Sequence, residues 1–408
     1  MRKLSVIIAV CFVLLLIGCD PAEKKRELMW DVDKLYQLIP DSWDAGVFYA
    51  PNVKGIYFQG ETFKDEETNI YAYIGVPTTP MPEGGYPAIV LIHGGLGKAF
   101  GDWVKMWTDK GYVAIAPDFD AQMSTPVSGA YQTVNNPLGG PKGYGVRTED
   151  LIGNKKDSWV YQSVSNIIRA NNLLRNMDIV DKTKIGATGI SWGSYLLGIT
   201  LGVDQRFAFA MPVYGAGYLD EDFGSSLYGM FAGMDDEMIK TYREFYDPAA
   251  YLKANITPTF WMQGVTDYAF SPVAKQKAID HIKGVDIQYA YLENMTHGQE
   301  QGSAPKELFA FADSIVENTD SILKIKSLNF NDSQIIVEST NDIEIVSARL
   351  FWTDSPDYEI HQATWYREEV SISGGIINAS VPSGALYAFI EITDSLGNKV
   401  SSRFYEVI

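Results

Sequence analysis

The stretch Lys184-Ile185-Gly186-Ala187-Thr188-Gly189-Ile190-Ser191-Trp192-Gly193-Ser194-Tyr195-Leu196-Leu197-Gly198-Ile199 decides the fold. Its first five residues read as a short strand, and its apolar end continues into a helix expected over 194–203. Between them lies Gly189-Ile190-Ser191-Trp192-Gly193, a G-x-S-x-G pattern that occurs once. With Gly at about 7% of residues and Ser similar, chance supplies ~0.1–0.2 copies in such a length. The pattern alone is therefore weak, and its setting carries the reading. A sharp strand-to-helix turn with glycines at 189 and 193 lets the two elements pass closely and points the Ser191 hydroxyl out of the sheet. It would sit at a helix start, where backbone N–H groups favour negative charge.

Outward from this turn the chain alternates strands and helices. Residues 87–92 and 112–116 are continuous apolar runs of the kind a strand buried on both faces needs. Helical spacing marks 157–176, with Asp157-Ser158 as the cap, and further helices are expected near 103–110 and 273–283. Strands are expected at 207–213, 259–263 and 287–292, and a hairpin joins 56–63 to 70–76. This is the pattern of an α/β domain, a mostly parallel sheet covered by helices. Near residue 325 the period changes to short alternating segments separated by Asn-Asp, Gly-Gly and Leu-Gly-Asn turns, which fits a small C-terminal β-sandwich, immunoglobulin-like. The expected division is a catalytic domain over 31–322 and a β-sandwich domain over 325–408, the latter bracing the former. Stretches 119–156 and 216–250 break the alternation, and long insertions of that kind are functional or disordered.

A nucleophilic serine needs a base, and the chain has four histidines. His281 falls in a helical pattern and His361 in the β-rich tail, while His93 opens the glycine loop His93-Gly94-Gly95-Leu96-Gly97 after a strand. His297, in the loop Glu293-Asn294-Met295-Thr296-His297-Gly298, is the base expected here. The acid belongs between serine and histidine in chain order, and Asp267 follows the strand 259–263 by a short turn. Asp235, Asp236 and Asp247 compete, but lie in the irregular acidic insertion. Backbone N–H groups of Gly94 or Gly95, with that of Trp192, could bind a tetrahedral oxyanion. A phosphate loop is disfavoured, since neither a Walker-type lysine pattern nor G-x-G-x-x-G occurs. Trp192, Tyr214, Phe223 and Tyr228 are expected to contact substrate.

These motifs, in this order, resemble the α/β-hydrolases, and most of all dienelactone hydrolases, acetyl xylan esterases and prolyl-oligopeptidase-type catalytic domains. The resemblance covers about residues 50–320 and rests on His93-Gly94-Gly95, Gly111-Tyr112-Val113-Ala114-Ile115-Ala116-Pro117-Asp118, Gly189 to Gly193, Gly264 with Asp267, and His297-Gly298. It implies a triad of Ser191, Asp267 and His297. Ser194 stands where many relatives carry a second glycine after the elbow, and Trp192 replaces the glutamine of typical acetyl xylan esterases.

Residues 1–18 read as a leader: Arg2 and Lys3 precede an apolar run from Val6 to Ile17, too short for a roughly 20-residue membrane span. Its end, Leu16-Ile17-Gly18-Cys19, resembles the lipobox of bacterial lipoproteins, implying acylation of Cys19, a tether over 19–30 and a lipid-anchored protein of the bacterial cell envelope, periplasmic or at the cell surface. Cys11 would leave with the leader, so no disulfide is expected, and two cysteines exclude a Cys₄ zinc site. The net charge of −18 argues against nucleic-acid partners. No metal or other cofactor is expected. The expected activity is serine ester hydrolysis through an acyl-enzyme, on an esterified carbohydrate or small molecule. The alternatives are a prolyl-oligopeptidase-type peptidase and a surface glycan-binding protein with an inactive hydrolase domain.

Overall fold

The computed structural model describes residues 28–127, 130–331 and 333–407; the leader at 1–18, Cys19 and the tether up to residue 27 lie outside the described residues. Nine strands build the central sheet: β1 (Ser42–Ala50), β2 (Val53–Gln59), β3 (Asn69–Gly75), β4 (Tyr86–Ile92), β5 (Val113–Pro117), β6 (Val180–Ile190), β7 (Phe209–Val213), β8 (Thr259–Gly264) and β9 (Ile287–Leu292). Their spatial order is β1-β2-β3-β5-β4-β6-β7-β8-β9. The first three strands join the sheet antiparallel, and from β5 onward every pairing is parallel. The expected hairpin is β2–β3. The strand β1 ahead of it gave no sequence signal, because most of its residues are exposed at the sheet edge and show no apolar alternation.

Burial explains the apolar runs. Ala88 to Ile92 of β4 are completely removed from solvent, each large side chain contributing about 1.5–3 kcal/mol. The covering helices include α1 (Gly101–Asp109), α2 (Trp159–Arg175), α3 (Trp192–Val203), α4 (Pro272–Ile279) and α5 (Lys306–Val316). Ser158 caps α2, its hydroxyl accepting from the Tyr161 N–H at 3.2 Å. Both irregular stretches contain regular elements among the described residues. The first holds the hairpin Gln122–Val127 with Ala130–Asn135, and the second a helix, Asp236–Phe245.

The period change at residue 325 marks the first strand of two antiparallel sheets. One comprises β10 (Ile325–Asn331), β11 (Gln334–Ser339), β14 (Ile372–Ser373) and β15 (Ile376–Ser380); the other β12 (Ile345–Thr353), β13 (Tyr366–Glu369), β16 (Tyr387–Asp394) and β17 (Lys399–Ser401). The second sheet continues the central one: Tyr289 of β9 pairs with Ser401 of β17, and the Ser401 hydroxyl accepts from the Tyr291 N–H at 2.9 Å. Strand β16 is buried on both faces. Ala388, Ile390 and Ile392 belong to the large core with Ile335, Val337 and Ile377. Tyr387 and Phe389 point the other way, clustering with Tyr291, Phe351, Ile360, Phe404 and Val265. Val265 lies two residues before Asp267, so the sandwich packs directly behind the turn that carries this carboxylate.

Candidate active site

Ser191 occupies a strained backbone position, φ 58° and ψ −120°, between the end of β6 and the start of α3. Its N–H donates to the Val213 carbonyl at 2.9 Å. A Cβ at Gly189 would come within 2.3 Å of the Gly193 carbonyl oxygen, and one at Gly193 within 2.0 Å of the Ile92 oxygen. Only glycine permits that approach. Ser194, the departure from the related motif, is buried and its hydroxyl donates to the Gly215 carbonyl at 2.6 Å. The extra oxygen is thereby satisfied.

His297 reaches Ser191 from the loop after β9. Its Nε2 lies 2.8 Å from Ser191 Oγ, and its Nδ1 2.7 Å from Asp267 Oδ2. A carboxylate accepts, so the Nδ1 proton points to Asp267 and the Nε2 lone pair to the hydroxyl. Asp267 Oδ1 accepts from the N–H groups of Ala269 at 2.8 Å and Phe270 at 3.0 Å, which fixes the carboxylate plane.

The glycine loop borders the same space. Gly94, Gly95 and Trp192 line a cavity of about 440 Å³ with Ser191, His297, Tyr144, Leu227 and Tyr268. A Cβ on Gly95 would meet the Trp192 indole at 2.8 Å, so the loop lies directly against the first residue of α3. His93 supports it from beneath. Its Nε2 accepts from the Phe119 N–H at 2.9 Å, so its Nδ1 donates to the Gly94 carbonyl at 2.7 Å. Burial pushes its pKa down to about 4 and keeps the ring neutral.

The four residues expected to contact substrate separate. Trp192 lines the cavity. Tyr214 does not: it is fully buried, its ring stacked on the imidazole of His297 with centroids 4.4 Å apart. Phe223 and Tyr228 pack edge-to-face at 5.0 Å on the 216–250 insertion, outside the lining. Tyr144 and Tyr268, which also line it, stand on irregular loops where no period marks them. Of the competing acids, Asp235 caps the helix Asp236–Phe245. Asp247 accepts from the N–H groups of Tyr218 and Ala249. His281 sits beyond the end of α4, hydrogen-bonded to the Tyr218 hydroxyl at 2.7 Å.

Comparison with known proteins agrees with this fold. Residues 117–318 match the sequence model of the Prolyl oligopeptidase family. An acetyl xylan esterase from Paenibacillus sp. R4 superimposes with a TM-score of 0.55 at 18% identity, over 70% of this chain and 92% of that one. The chain carries an α/β-hydrolase domain. Acetyl Xylan Esterase 1 from Thermoanaerobacterium sp. JW/SL YS485 gives 0.51 at 16% identity, over 71% and 93% of the two chains. Dipeptidyl-peptidase 5 of Aspergillus fumigatus is 27% identical over 165 residues, 36% of this chain but only 19% of that protein. The structural likenesses, at 16–18% identity, show the fold.

In this α/β-hydrolase domain the turn bearing Asp267 is tied down carbonyl by carbonyl. The Asp267 oxygen accepts from His361, the Tyr268 oxygen from the Ser226 N–H at 2.9 Å, the Ala269 oxygen from the Ser225 hydroxyl and the Phe270 oxygen from the Gln263 amide. Two of these donors come from the insertion at 216–250. That stretch therefore clamps the turn beside the cavity. The donor at Asp267 comes from the β-rich tail, and sequence reasoning passed over it: His361 is no base, yet it stands against the acid. Among the described residues no group of three or more His, Cys, Asp or Glu could hold a metal ion.

Proposed function

We propose that the protein is a serine carboxylic-ester hydrolase working through an acyl-enzyme. The observation that carries this reading is the continuous chain of hydrogen bonds from Asp267 through His297 to Ser191, opening on a cavity whose lining residues, among those described, include no Asp, Glu, Lys or Arg. Ser191 Oγ attacks the acyl carbonyl as His297 Nε2 takes its proton, and Asp267 stabilises the imidazolium that forms. Backbone N–H groups of Gly94 or Gly95 and of Trp192 receive the oxyanion, a donor there being worth about 2.7–4 kcal/mol. His297 returns the proton to the leaving alcohol, and water repeats the sequence on the acyl-enzyme. An uncharged wall suits a neutral acyl group such as acetyl on a carbohydrate or small molecule. The test is a panel of acetyl, butyryl, feruloyl and methyl esters with wild type and Ser191→Ala. Turnover retained by the variant would overturn the mechanism.

A peptidase of the prolyl-oligopeptidase type is the second reading, favoured by the family match over 117–318 and by the curated relative's name. It uses the same three side chains. Among the described residues the lining holds no carboxylate, which speaks against substrates gripped by a free amino terminus but not against blocked or internal peptides. Aminoacyl-nitroanilides turned over faster than every ester would reverse this order.

Lipid anchoring through Cys19 in a bacterial envelope is part of the same proposal, supported by Leu16-Ile17-Gly18-Cys19 at the end of an apolar run. Metabolic labelling with a fatty acid, lost in Cys19→Ser, tests it.

A further inference from the structure

We propose that His361, supplied by the C-terminal β domain, is a positioning residue for Asp267, so that the site of hydrolysis is completed by both domains. The inference rests on the reading of Ser191, His297 and Asp267 as the reacting set.

His361 lies in the turn Asp357–Gln362 between β12 and β13. Its side chain is buried and both ring nitrogens face acceptors. Nδ1 meets the backbone oxygen of Asp267, and Nε2 lies 3.1 Å from Asp222 Oδ1. A carbonyl oxygen can only accept, so Nδ1 carries a proton. The other oxygen of Asp222 accepts from the Ser271 N–H at 2.8 Å, so one proton bridges its Oδ1 and His361 Nε2. The ring is held between a carboxyl group and a carbonyl, two acceptors that favour its imidazolium form. Burial alone opposes that state; the hydrogen bonds to Asp222 and to the Asp267 carbonyl outweigh it and raise the pKa.

The consequence is mechanical. Asp267 and Ser271 bound the turn that carries the acid. His361 grips the first through its carbonyl, and Asp222, held by His361, grips the second through its N–H. The fit is close from the side of the insertion as well: a Cβ on Gly224 would come within 2.5 Å of the Tyr358 oxygen and 2.7 Å of the His361 ring. A buried ion pair is a poor way to join two domains, since desolvation offsets its attraction and an apolar pair serves as well or better. It is an effective way to fix one carbonyl in place. Because the Asp267 carboxylate orients His297, slack of about 1 Å here would cost on the order of 100-fold in rate.

The experiment uses the full chain with His361→Ala, His361→Gln and Asp222→Asn, read three ways. Thermal melting reports folding. Hydrolysis of a short p-nitrophenyl ester gives kcat and KM. The low-field proton signal of His297 Nδ1 reports directly on its bond to Asp267 and requires no turnover. His361→Ala and Asp222→Asn should lower kcat about 10- to 100-fold with KM changed less than twofold, and lose or shift the low-field signal. His361→Gln, whose amide can still donate to the Asp267 carbonyl, should recover part of both. An unchanged signal in His361→Ala overturns the proposal whatever happens to the rate; should that variant not fold, Asp222→Asn decides in the same way. If wild type hydrolyses no ester, the functional reading fails, while the low-field signal still decides for or against the positioning role.

Discussion

The phenol ring of Tyr214 lies beneath the imidazole of His297, centroids 4.4 Å apart and planes inclined by 28°, and its hydroxyl donates to the carbonyl of Thr296 at 2.7 Å. One residue thus fixes both the plane of the histidine and the backbone just before it. Tyr214 has a positive φ of 69° and follows β7 directly, so the sheet itself sets the ring's position. Tyr214→Phe keeps the stacking and loses the hydrogen bond. The expected outcome is a three- to tenfold lower kcat, in line with a bond worth about 1 kcal/mol, and an unchanged KM. Steady-state kinetics on a short ester checks it.

Asp267→Asn should leave the fold intact and remove most activity. Its amide oxygen can replace Oδ1 as acceptor for the Ala269 and Phe270 N–H groups, but its NH₂ would face His297 Nδ1 and favour the wrong tautomer. A kcat lower by about 10⁴ is expected, with melting within a few degrees of wild type. Retained activity would mean that another group orients His297.

Ser194→Ala separates stability from chemistry. The hydroxyl at 194 donates to the Gly215 carbonyl inside the core, away from the cavity. Removing it leaves that oxygen short of a partner, at a cost of about 1–3 kcal/mol. Denaturant titration should show this loss, while fluorophosphonate labelling of Ser191 proceeds at close to the wild-type rate.

Asp118 gives the protein a pH dependence whose sign is fixed by burial. Its Oδ1 accepts from the N–H groups of Asp120 and Gln122, but burial outweighs these bonds and raises the pKa to about 7. A folded-state pKa above the unfolded value of about 4 means that the native protein holds the proton more tightly. The stabilisation is full below pH 4 and is lost as the pH rises through 7. Asp118→Asn has no such proton to lose. Melting curves should show the variant gaining on wild type between pH 5 and 8, by an amount on the order of 2–4 kcal/mol. Parallel curves would exclude the effect.

Much of the fold was legible because it is written in local periods. The runs at 87–92 and 112–116 are apolar throughout since β4 and β5 are buried on both faces, and the elbow shows in the sequence because only glycine tolerates contacts of 2.0–2.3 Å at 189 and 193. Strand β1 was not legible: an exposed edge strand needs no apolar face, and its composition is free of the constraint that would reveal it. Which aromatic side chains line the cavity was hidden for a related reason. Tyr214 and Tyr268 look alike in the chain, and only the path of the loop after each strand turns one beneath His297 and the other to the cavity.

By itself the sequence determined the order of strands and helices, the strained turn at Ser191, and which histidine and aspartate stand after strands in the right order. Those are properties of neighbours, governed by periodicity and by backbone sterics over a few residues. Only the tertiary structure decided that the sandwich continues the central sheet at Tyr289 and Ser401, and that His361 meets Asp267 from 94 residues away. A single hydrogen bond between distant segments imposes no pattern on the residues around it; it arises where two packed surfaces happen to bring a donor against an acceptor, and it becomes visible when the chain has closed.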